Sequence, residues 1–164
     1  MVACFDSGGY RYNPNVVVLW SDDVADVDNP TETEIEDATE IIPAPYNLIE
    51  VIGWEMSTEI IQIRAYGPFL PQLPASREVE NAQLVFASDI GGNDIRTLLS
   101  RDQEGFVLFL PSGPLVDYPD SPLDVFPARV AQITQLHRLW EPSRLLVTFA
   151  ITGHPGESVL AVLS

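Results

Sequence analysis

Residues 144–151 limit the fold more than any other stretch. Leu145, Val147, Phe149 and Ile151 occupy alternate positions, so all four project from one face of an extended chain. Apolar and β-branched runs of similar length recur at 16–20, 48–54, 58–66, 82–88, 106–110 and 125–136. Fourteen prolines and ten glycines fall mostly between these runs, where they serve as turn chemistry. One stripe has helical spacing: Ile95, Leu98 and Leu99 within residues 93–101. Asn93 is its expected N-cap, Asp94 suits the first turn and Gly105 is placed to stop it. The stripe should lie on a sheet. The pattern predicts a mainly β (α+β) fold, a β-barrel or sandwich with one flanking α-helix.

The chain divides by composition near residue 45. Residues 1–45 read as an N-terminal arm, a short strand at 16–20 and an acidic extended segment; residues 46–164 read as the β-domain. Tyr10 and Tyr12 alternate around Arg11 and would share one face of an extended arm. Residues 67–74 hold three prolines and predict an irregular loop. Phe69, Leu70 and Leu73 in that loop are too apolar for plain solvent. They either fold back over the core, the favoured reading, or dock on a neighbour. Pro127 suggests that the 125–136 strand, which contains Phe126, lies at an edge or carries a bulge. The terminal run with Val159 and Leu160 is either a last strand or a segment donated to another subunit.

The charge is lopsided. There are 24 acidic residues against 8 arginines and no lysine, a net charge of −16. Residues 22–40 alone hold nine carboxylates and no cation, so self-repulsion should keep them extended unless a partner orders them. Such a chain gains no counterion release on a phosphate backbone, which argues against specific nucleic-acid binding. No apolar stretch approaches the ~20 residues of a membrane span, and residues 1–6 lack the basic and apolar regions of a secretory signal. A protein made in the cytoplasm, without a membrane partner, is expected. Cys4 is the sole cysteine, which excludes an intrachain disulfide.

Nothing in the chain assembles a catalytic grammar. His137 and His154 have no metal-ligand spacing with each other or with Cys4, and no nucleophile elbow, P-loop or dinucleotide fingerprint occurs. No catalytic residue, metal ligand or cofactor is expected. Asp117, Asp120 and Asp124 are close enough in sequence to serve an acidic β-barrel hydrolase. That alternative needs a pocket gathering two of them with Trp54 or His137. Trp20, Trp54 and Trp140 stand at strand ends or turns, where core or interface anchoring accounts for them. A third reading is a monomeric binding module of a salt-adapted host.

Residues 48–151 resemble a minor tail protein domain of long-tailed actinobacterial phages. The resemblance follows, in order, the strand ending in Gly53 and Trp54, the loop with Gly67, Pro68, Phe69 and Leu70, and the helix with Leu98, Leu99 and Ser100. It continues through the run from Val107 to Gly113, the turn at Asp117 and Pro119, Ala128 to Val130, and Arg144 to Phe149. The acidic 22–40 segment has no counterpart in the pattern. The resemblance implies a distal-tail or tail-tube-like β-domain without enzymatic activity, a virion structural protein near the tail tip or baseplate. A tail-terminator or head–tail connector is the close variant. The implied partners are other copies in a ring and other tail proteins. Tyr10, Tyr12, Phe69, Leu70, Leu73, Phe126, Val159 and Leu160 are the expected interface residues. If the carboxylates line a lumen, they would keep DNA from sticking to it.

Overall fold

A computed structural model describes residues 16–64, 67–117 and 119–163. The contacts group them into two units, each drawn from separated parts of the chain.

The first unit takes residues up to 42 together with 105–127 and those from 153 on. Strand β1 (Val17–Ser21) lies between β2 (Thr39–Glu40) and β7 (Glu104–Leu110), antiparallel to both. Leu19 faces Leu108 and Val17 faces Leu110, so alternate residues of both strands share one side. Leu19, Val24, Ile35, Leu108, Leu110, Leu123 and Val125 form the core on that side. The other side of β1 is buried too: Val18 and Trp20 are almost inaccessible. That double burial explains the unbroken apolar run. Gly105, expected to stop a helix, instead sits inside β7. A Cβ there would overlap the Trp20 ring and the Ser21 carbonyl oxygen, so the close approach of β1 needs glycine at this position.

The acidic segment is the main departure from expectation. Residues 22–40 are built into this unit, and they contain the one α-helix among the described residues, α1 (Glu32–Glu36). Thr31 and Glu34 form a capping box: the Thr31 hydroxyl accepts the Glu34 N–H, and the Glu34 carboxylate accepts the Thr31 N–H at 2.9 Å. The same carboxylate takes the Ala25 N–H at 2.9 Å. These bonds hold Glu34 below the usual glutamate range, the Thr31 N–H first. Ile35 turns into the core. Local hydrogen bonding and the buried Val24 and Ile35 side chains thus outweigh diffuse repulsion among solvated charges.

The second unit takes residues 43–104 and 128–152. Its larger sheet runs β3 (Leu48–Ile52), β6 (Gln83–Ala87), β9 (Arg144–Ile151) and the later part of β8 (Leu123–Leu136), all antiparallel. Leu84, Phe86, Leu145, Val147 and Phe149 share its buried face, as their alternation predicts. Trp54 tilts against Phe149 with ring centroids 5.2 Å apart and donates its Nε1–H to the Gln83 carbonyl. Gly53 ends β3 with φ +73. The expected helix at 93–101 is only a 3₁₀ turn, Ile95–Thr97, capped by Asp94 rather than Asn93. Its apolar residues still reach the interior, since Ile95 and Leu99 are buried.

Strand β8 is not an edge. It pairs with β10 (Gly156–Val159) through Leu123 and Val125, then with β9 from Ala128 onward. Pro127, which has no N–H to give, stands where the pairing partner changes.

Candidate functional site

The second unit carries a two-stranded sheet of its own, β4 (Met56–Gln62) and β5 (Gln72–Val79). Ile60 pairs with Pro74 and Ile61 with Leu73, after a register shift between Thr58 and Ile60. The Ile63 N–H donates to the Pro71 carbonyl at 2.9 Å and continues the ladder toward the turn. Nearly every residue of both strands is exposed. Ile60, Ile61, Ile63, Leu70 and Leu73 are large and open to solvent, and Phe69 is 76% exposed. Consecutive residues project to opposite faces, so Ile60 and Ile61 make the hairpin apolar on both sides. Phe69, Leu70 and Leu73 therefore do not fold back over the core. β4 and β5 pair only with each other among the described residues.

The remaining expected interface residues fall into three groups. Leu160 is exposed. Val159 is in β10 and packs against the core of the first unit, the last-strand alternative for this segment. Beyond it, the Val162 N–H donates to the Pro30 carbonyl and the Val162 carbonyl accepts the Glu32 N–H, tying the end of the chain to α1. Phe126 is 4% exposed and meets Phe109 edge-on at 5.7 Å, so it is a core residue. Tyr10 and Tyr12 lie outside the described residues.

Two further surface features lie outside the expected set of interface residues. Strand β3 ends its sheet and exposes Ile49, Val51 and Ile52 along an open edge. The turn between β8 and β9 raises Leu139 and Trp140 clear of the surface, at 87% and 101% exposure, with Trp140 at φ +69. Adjacent large apolar residues inside a Pro-containing turn are the sequence signal for such a tip. Beside it opens a cleft of about 300 Å³ lined in part by Ile52, Val85, Arg138, Glu141, Arg144 and Leu146. Arg138 holds Glu141 at 3.5 Å on the surface. The Arg144 Nε is buried and has no hydrogen-bond partner.

A second cleft, of about 290 Å³, is lined by Ala44, Pro45, Asn47, Ala87, Ser88, Asp89 and Asn93. Near it Asp94 is fully buried and its two oxygens accept four bonds: from the Arg96 N–H and Nε, from Arg96 Nη2, and from the Asp89 N–H. The Arg96 guanidinium, foremost among these, holds Asp94 below the usual aspartate range. A carboxylate with every acceptor position taken pins a turn and is not poised for proton transfer. Among the described residues no group of three His, Cys, Asp or Glu side chains could hold a metal. Neither cleft is lined by Asp117, Asp120 or Asp124. Asp124 instead accepts the Ser158 N–H at 2.7 Å. No helix among the described residues is long and apolar enough to cross a membrane.

The described surface thus offers exposed apolar elements and an open strand edge. No curated protein matches the chain. Among solved structures, the chain is similar in fold to a sheath/tube terminator of an extracellular contractile injection system, PVC, in its extended state. The TM-score is 0.55 at 10% identity, over 91% of this chain and 97% of that one. A model of the phage tail tube protein family matches residues 11–163. The chain therefore belongs to the phage tail tube protein family, whose members are structural components of the virion tail.

Proposed function

We propose that this tail protein works as a ring-forming subunit, and that the β4–β5 hairpin is the element a neighbouring copy covers. The observation that carries the reading is the hairpin's exposure on both faces. Two strands alone are marginal in water, and six large apolar side chains stand open on and between them. Fully burying an Ile, Leu or Phe side chain contributes about 1.5–3 kcal/mol. Even partial burial of six outweighs any surface ion pair in the chain, each worth about 0–1 kcal/mol. The open β3 edge adds backbone donors and acceptors for strand pairing.

Within the family, two positions suit such a ring: a repeating layer of the tube, or a layer that ends it. The fold neighbour is itself a sheath/tube terminator, which favours the terminal position. Electron microscopy of the purified chain separates them. Single closed rings support a terminal layer, and open-ended tubes support a repeating one. Monomers at every concentration up to the millimolar range, alone and mixed with the other tail proteins, contradict both.

A further inference from the structure

The described charges are divided unequally between the two units. All seven described arginines lie in the second, with ten carboxylates; the described residues of the first hold thirteen carboxylates and no arginine. Nine of those thirteen fall in residues 22–40. A surface this one-sided repels its own like in another copy and attracts the part of that copy that carries the cations.

The cleft beside the β8–β9 turn has the features such a contact needs. Arg138 and Arg144 line it, and the exposed Leu139 and Trp140 stand in the same turn. Arg138 has Glu141 as a partner, but both are solvated, so that pair is weak and easily exchanged. The Arg144 Nε–H is the one buried side-chain polar atom left without a partner among the described residues. A buried donor without an acceptor costs about 1–3 kcal/mol. Arginine also matches a carboxylate with two parallel bonds, which a second acceptor oxygen would complete. Glu50 and Glu141 also line the cleft, so its charges balance, whereas the described residues of the other unit hold carboxylates and no arginine.

We propose that the Arg138/Arg144 cleft receives a carboxylate from the 22–40 segment of a second copy, with Leu139 and Trp140 packing beside it. This rests on the ring reading and gives it a direction: two different surfaces meet, acidic segment to arginine cleft. Repeated head to tail, such a contact generates rings or filaments rather than isolated pairs. The rigid α1 cap favours the arrangement, because its backbone bonds already fix the segment that must dock.

Charge reversal and re-reversal test it, with assembly read by native mass spectrometry over a salt series. Arg138→Glu and Arg144→Glu, alone and together, should raise the concentration at half-assembly on the order of tenfold to a hundredfold. Glu36→Arg with Asp37→Arg, added to the double reversal, should restore assembly. Both lie at the C-terminal end of α1, where a cation suits the helix dipole. Arg138→Glu alone keeps the test open if Arg144→Glu does not fold, since Arg138 is surface-exposed. Wild-type rings that survive folded Arg138→Glu with unchanged salt dependence overturn this contact and leave the ring reading standing. Loss of assembly without restoration by the α1 swap assigns the cleft to another occupant and overturns it as well. A wild type that never assembles overturns both.

Discussion

Asp94 shows how one residue fixes a stretch that sequence periodicity misassigns. The apolar spacing of Ile95, Leu98 and Leu99 suits a helix, yet Asp94 takes the Asp89 N–H on one side and Arg96 on the other and closes a compact turn instead. A buried carboxylate with four donors outbids a three-residue stripe. Asp94→Asn should destabilise the fold by about 1.5–3 kcal/mol, measured as a shift in the urea midpoint, because hydrogen bonds to a charged group are lost and an amide N–H₂ faces donors. The pH dependence follows from the direction of the shift. Asp94 is more acidic folded than unfolded, so its contribution is complete above the unfolded value of ~3.9. It fades as pH falls through the depressed folded value. Acid titration of wild type should therefore show a loss of stability below about pH 4 that is smaller in Asp94→Asn, where Glu34 still contributes its own share. Gly105 is a second such residue. Gly105→Ala should lower the melting temperature and perturb Trp20 fluorescence, since any Cβ displaces the indole.

At the level of elements, most strands were legible in the sequence, and the failures share a cause. The period of two found β9, and the β-branched runs found β1, β3, β4, β6 and β7 to within a few residues. Strand β5 was hidden by Pro71 and Pro74, which argue against a strand in a large sheet. In a two-stranded hairpin Pro74 is tolerated beside the register shift. The helix was sought at 93–101 and found at Glu32–Glu36. The Thr31-to-Glu34 capping box was readable there, but the charge density of the segment masked it. Thr31→Ala should cost about 1 kcal/mol of stability, seen as a lower thermal midpoint. The hairpin behaves in the opposite way. Phe69→Ser with Leu70→Ser should leave the monomer's denaturation within about 0.5 kcal/mol of wild type, because both are exposed. The same variant should lose assembly. A variant that assembles normally would show that the hairpin is not the contact.

For the whole molecule, the class of fold and the tail role could be read from sequence, and the plan of the two units could not. Each unit is assembled from separated segments, and β8 supplies residues to both, so no shift in composition marks the division. The charge was visible as a total of −16, but only the fold assigns it, with thirteen carboxylates and no arginine among the described residues of one unit. Among the residues expected at an interface, Phe69, Leu70 and Leu73 violate loop chemistry in the sequence and stand exposed in the fold. Phe126 is buried because its strand is paired along both of its parts, and Trp140, whose turn position suits a core or interface anchor, stands exposed beside Leu139. Cryo-electron microscopy of the assembled protein tests the central claim most directly. A closed ring in which Ile60, Phe69 and Leu70 of each copy lie against a neighbour is the expected result. An assembly that leaves the β4–β5 hairpin in solvent, or a particle that stays at the 18.1 kDa of one chain, would contradict it.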